Sequence, residues 1–108
     1  MAPYLFQVTY TSDAWAAQVR NPQNRVEAIR PIIDRLGGRI VCVYYAFGEY
    51  DVVAIAEMPD NVSTAALALA FAAGGAAKAV KTTPLMTIEE GLEAMRKASG
   101  TGYRPPGS

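Results

Sequence analysis

Apolar and polar residues alternate from the start of the chain. In PYLFQVTY (Pro3 to Tyr10), Tyr4, Phe6, Val8 and Tyr10 fall on one side of an extended segment, with Leu5, Gln7 and Thr9 on the other. That period predicts a strand with its aromatic side on a core. The period then lengthens to that of a helix. TSDAWAAQVR carries a short first helical piece capped by Ser12, and Asn21-Pro22 offers a restart, a capping Asn followed by Pro at the first helical position. Val26, Ile29, Ile33 and Leu36 recur at helical spacing, Pro31 is expected to kink the helix, and Gly37-Gly38 to stop it. RIVCVYYAF (Arg39 to Phe47) and YDVVAIAEM (Tyr50 to Met58) read as strands joined by Gly48-Glu49 alone, a connection suited to a type II′ hairpin. Pro59-Asp60-Asn61 ends the second of these and offers a cap. Val62 to Ala73 then forms a helix with Ala66, Leu67, Ala70 and Phe71 on its buried side, closed by Gly74-Gly75. Ala77 to Met86 reads as a fourth strand, with Pro84 at an edge position or the strand end. Thr87 and Glu90 have capping-box spacing ahead of a last helix whose apolar stripe is Ile88, Leu92 and Met95.

The order β-α-β-β-α-β with a C-terminal helix is the α+β, ferredoxin-like plan: an antiparallel four-stranded sheet carrying both main helices on one face. Residues 1–98 are expected to form one domain, and the Gly/Pro-rich residues 99–108 a mobile tail. The other sheet face is left bare. If apolar, it is expected to meet the same face of a second copy.

A two-residue turn fixes the register of the central hairpin. Phe47 then lies opposite Tyr50, Tyr45 opposite Val52 and Val43 opposite Ala54 on the face that suits helices, where the Tyr50 ring is expected to pack. The other face pairs Ala46 with Asp51, Tyr44 with Val53, Cys42 with Ile55 and Ile40 with Glu57. A mostly apolar surface with a few polar groups suits a subunit interface or a ligand pocket.

The block FGEYDVVAIAEMPD, with LGG ahead of the preceding strand, resembles the GYD-domain family of small bacterial proteins; Gly48, Tyr50 and Asp51 match the residues that name it, with Glu49 between the first two. The resemblance runs from Tyr4 to Met95. It implies a ferredoxin-like protomer of the dimeric α+β-barrel type, a homodimer or larger assembly, and brings no catalytic set with it.

Composition narrows the chemistry. Hydrophobic residues make up 51% of the 108, which argues against disorder. Ten basic residues balance ten acidic ones with no basic cluster, so no nucleic-acid partner is expected. The longest apolar run, Ala65 to Ala73, is too short for a membrane span. One cysteine and no evident signal segment fit a cytoplasmic protein. The absence of histidine removes imidazole catalysis and imidazole metal ligation, and no metal or cofactor is expected.

What remains is carried by a few side chains. Asp51 locks the hairpin by accepting hydrogen bonds, or serves as a base, desolvated in a pocket, or makes a contact across the subunit interface; with Tyr44 it is the catalytic candidate. Tyr44, Asp51, Cys42, Trp15 and Lys81 are the candidate ligand-binding residues, while Gly48, Glu49 and Tyr50 build the turn. The bland alternatives are packing for Tyr44, Cys42 and Trp15, and a solvated charge for Lys81. Three functions fit: a homo-oligomeric module binding a small ligand in an apolar pocket at the sheet interface or serving assembly; by likeness to the dimeric α+β-barrel type, a cofactor-free monooxygenase or isomerase acting on a small hydrophobic or aromatic metabolite; and a regulatory or stress-related interaction protein.

Overall fold

The computed structural model describes residues 1–107. Strand β1 (Ala2–Tyr10) pairs antiparallel on both edges, and its alternating burial follows the aromatic stripe: Tyr4, Phe6 and Val8 are buried while the residues between them are not. Around it are α1 (Ser12–Arg20), α2 (Arg25–Arg35), β2 (Arg39–Tyr45), β3 (Val52–Met58), α3 (Asn61–Ala73), β4 (Ala77–Pro84) and α4 (Ile88–Ser99). The sheet order is β2-β3-β1-β4, all neighbours antiparallel, which is the ferredoxin-like arrangement.

Polar side chains set the helix starts. The caps of α1 and α2 lie one and three residues from the expected positions, at Thr11, which accepts from the Ala14 N–H (3.1 Å), and at Asn24, which accepts from the Val26 N–H (3.0 Å). Pro22 therefore belongs to the connection, and α2 continues through Pro31. Asp60 caps α3 by accepting from the Ser63 N–H (2.7 Å), a bond that holds its carboxyl below the ordinary range. Thr87 and Glu90 form the capping box of α4.

The core lies where α2 and α3 meet the sheet. Ile33 of α2, Leu67 of α3, and Tyr4, Phe6, Ala56 and Met58 of the strands form one buried cluster. The Tyr4 hydroxyl donates to Asn61 Oδ1 (2.6 Å), tying β1 to the first turn of α3. Gly37 leaves α2 in the left-handed conformation (φ 80°). Gly38 is needed for a different reason: a Cβ there would lie 2.9 Å from the Glu57 carbonyl oxygen and 2.5 Å from Met58 Sδ.

Two features of the β2–β3 hairpin differ from expectation. The pairing shifts between Ile40 and Cys42, so Ile40 faces Ala56 and Arg39 faces Glu57. The extra residue of this bulge turns Ile40 from the bare face to the helix-covered face. The connection is also longer than Gly48-Glu49. Regular pairing ends at Tyr45 and Val52, Gly48 does not adopt positive φ, and Phe47 is fully exposed rather than paired with Tyr50. The cause is β1, which draws the corner away from β2: the Asp51 N–H donates to the Val8 carbonyl (2.9 Å) and the Thr9 hydroxyl to the Glu49 carbonyl (2.9 Å). Only the Ala46 N–H to Asp51 carbonyl bond (2.8 Å) still joins the two sides of the corner.

α4 leaves the body of the protein. Ile88 is 81% and Met95 67% exposed, so most of its apolar stripe is uncovered among the described residues. The radius of gyration, 17.5 Å, exceeds the roughly 13 Å of a compact chain this size. Among the described residues no helix is long and apolar enough to cross a membrane.

Gly38→Ala is expected to lower stability by about 1–3 kcal/mol in urea denaturation, because the Glu57 carbonyl is backbone and cannot move aside. Gly48→Ala, with nothing within 4 Å of the added carbon, is expected to leave the midpoint near wild type. Equal midpoints for the two variants would contradict this packing.

Candidate functional site

Toward the Tyr10 end of β1 the two helices and the sheet border a cavity of about 560 Å³ that is partly open to solvent. Its floor is the helix-covered sheet face, with Phe6, Val8, Val43, Val52 and Ala54 in register across β1, β2 and β3. Val26, Ile29 and Ile33 of α2 form one wall, and Ala70 and Phe71 of α3 the other. The polar residues on its lining are few: Tyr10, Tyr45, Gln23, Asn24 and Arg25. All belong to the end of β1, the end of β2, or the start of α2. The size and the apolar wall with polar groups at one end are those of a small-molecule site.

Aromatic stacking organises the polar end. Trp15 meets Tyr10 edge-on (centroids 5.3 Å, 78°) and lies tilted against Tyr45 (6.1 Å, 42°). Behind this trio, Asp51 Oδ2 accepts from the Tyr10 backbone N–H (2.9 Å) and from Trp15 Nε1 (3.0 Å). Burial, and then the neighbouring Tyr45, push the Tyr10 hydroxyl above its ordinary 10.0, against the pull of the Arg25 guanidinium beside it.

The residues singled out from sequence divide between the two sheet faces. Asp51 and Trp15 are joined by a hydrogen bond and support the cavity's polar end without forming its wall. Tyr44 and Lys81 lie in one row with Val53 and Gln7, and Cys42 in the next with Ile55 and Leu5, all on the bare face. None of Tyr44, Cys42 or Lys81 lines the cavity. Their alternation with residues of the covered face carries them to the opposite side of the sheet. Glu57, on the same bare face, pairs with Arg39 (2.9 Å) rather than with Lys81.

Tyr10, Tyr45 and Arg25 were not singled out from sequence. The Tyr4-Phe6-Val8-Tyr10 stripe reads as core throughout. Its final member carries a hydroxyl at a strand end, which is the available sign that the stripe passes from core to cavity.

The match to a family of known sequences now has a structure to sit on. The model of the GYD domain matches residues 4–95, most of the 108-residue chain and every strand of the sheet. This protein belongs to the GYD-domain family. No curated protein and no solved structure matches the chain. In this GYD domain the naming residues lie in the corner between β2 and β3. Gly48 is at its exposed tip, Tyr50 is half-buried, and Asp51 supplies the carboxylate that stands in for a strand carbonyl beyond the regular pairing of β1 with β3.

Asp51→Ala leaves the Tyr10 N–H and the Trp15 indole N–H without their acceptor. The expected loss is about 1–3 kcal/mol in urea denaturation with a shift in tryptophan emission, and an unchanged midpoint and spectrum would contradict the contact. Of the six tyrosines, Tyr10 is expected to ionise late. Because its folded pKa is raised, its contribution to stability is complete below pH 10.0 and is lost as pH rises through the folded value. Tyrosinate absorbance of the folded protein should lose a step above pH 10.0 in Tyr10→Phe; a titration identical to wild type would contradict the assignment.

Proposed function

We propose that this GYD-domain protein is a homo-oligomeric small-ligand-binding module, with the ligand held in the cavity between the sheet and the α2–α3 pair. The observation that carries this reading is the cavity itself. Dispersion and the hydrophobic effect favour a filled core, yet about 560 Å³ lies between two helices that share one sheet face. An apolar occupant gains contact with Val8, Val26, Ile29 and Phe71, and its polar end meets Tyr10, Tyr45 and Arg25.

This places the ligand on the covered face, and leaves the bare face for assembly. The bare face carries Leu5, Val53, Ile55 and Cys42 with the exposed ring of Tyr44, a surface that gains by meeting its own copy. The exposed stripe of α4 adds to the apolar surface that assembly would cover.

Trp15 is the single tryptophan and stacks on two residues of the cavity lining, so its emission reports occupancy directly. Titration with decan-1-ol is expected to give a saturable change in wild type. Ala54→Phe, which fills the floor, is expected to abolish that change while leaving the melting temperature equal or higher. Saturation unaltered by the substitution would contradict the cavity as the site. Light scattering at micromolar concentration is expected to give a mass above one chain; a monomer would contradict the assembly half of the proposal.

A further inference from the structure

We propose that the cavity takes an apolar monocarboxylate, its carboxylate read by Arg25 with the Tyr10 hydroxyl and its chain or ring lying over Val8 and Phe71. The inference rests on the ligand-binding reading above and adds the chemistry of the head group.

Four observations converge on it. The cavity lining contains one ionisable cation, Arg25, and no acidic residue. Among the described residues Arg25 is in no ion pair: the two that form are Arg39–Glu57 and Arg96–Glu93. The neighbour of its guanidinium is a neutral one, the Tyr10 hydroxyl, itself a lining residue. The nearby carboxylate, Asp51, is engaged elsewhere, with the Tyr10 N–H and the Trp15 indole both on Oδ2.

A planar guanidinium at the rim of an apolar chamber complements a planar carboxylate, which it can hold through two parallel N–H bonds while a phenol hydroxyl donates a third. The single positive charge matches a single negative one. A phosphomonoester, with nearly twice the charge and a bulkier head, would leave charge unbalanced at this rim. Arg25 is also the first residue of α2, so the positive end of the helix reinforces the same sign. The remaining wall offers no polar side chain beyond Tyr45, Gln23 and Asn24, so the rest of the ligand is apolar.

The test compares decanoate with decan-1-ol, which share a chain and differ in the head, by calorimetry and Trp15 emission at neutral pH. Wild type is expected to bind decanoate about tenfold or more tightly than the alcohol, the scale of a charge-assisted hydrogen bond. Arg25→Gln should bring the two affinities together by weakening decanoate alone, and Arg25→Lys should restore part of the preference. Arg25 is exposed, so both variants are expected to keep the wild-type melting temperature. Equal affinities in wild type, or a preference that survives Arg25→Gln, overturn the head-group inference and leave the cavity reading intact. Binding of neither probe overturns both.

Discussion

Two helices share one face of this sheet, but buried packing gathers them onto it at one end only. Ile33 near the end of α2 and Leu67 in the middle of α3 are drawn onto Tyr4, Phe6, Ala56 and Met58, and the Tyr4–Asn61 bond and the side-chain-free Gly38 permit that closeness. Beyond Phe6 the lining includes Ala28 of α2, Ala70 of α3, and Gly74 and Ala76 in the connection to β4, residues too small to fill the space that Val26, Ile29 and Phe71 leave open. The gap therefore follows from where bulk is placed along the chain. A wedge closed at the Met58 end has to open toward Tyr10, and the ligand proposal takes its meaning from that opening.

The open end would be poorly held if it depended on strand pairing alone. The Asp51 carboxylate supplies what the ladder does not, accepting the Tyr10 N–H beyond the regular pairing of β1 with β3 and fixing the Trp15 indole in the same contact. One side chain so placed joins β1, the β2–β3 corner and α1. The stacking of Trp15 on Tyr10 and Tyr45 follows, and with it the position of both hydroxyls at the cavity's polar end. A carboxylate occupied in this way is a positioning group for the site. Catalysis by Asp51 would require it to leave those donors.

Much of the architecture was legible because it depends on local periodicity. The two periods identify the four strands and the three longer helices, and the capping box at Thr87 marks its helix start without ambiguity. The corner was not legible as a turn, since the Gly48-Glu49 pattern describes only β2 and β3, whereas the conformation is set by β1 from forty residues away, through Thr9 and Val8. The bulge at Val41 was invisible for a similar reason: one extra residue in a run of apolar side chains leaves no trace in the pattern, yet it moves Ile40 across the sheet. The site shows the sharpest contrast. Asp51 and Trp15 stood out as a lone carboxylate and the single indole, and they meet. Arg25, by contrast, is one arginine among several, and only the tertiary fold brings the start of α2 beside Tyr10.

The central claim is that the apolar chamber is preformed and lies on the helix-covered face. Xenon tests this without any assumption about a head group, since it enters dry apolar cavities and little else. In methyl NMR spectra under xenon pressure, Val8, Val26, Ile29 and Ala70 are expected to shift in a saturable, concerted way, while Leu5, Val53 and Ile55 on the bare face stay unchanged. Shifts confined to the bare-face methyls, or none at all, would contradict the account.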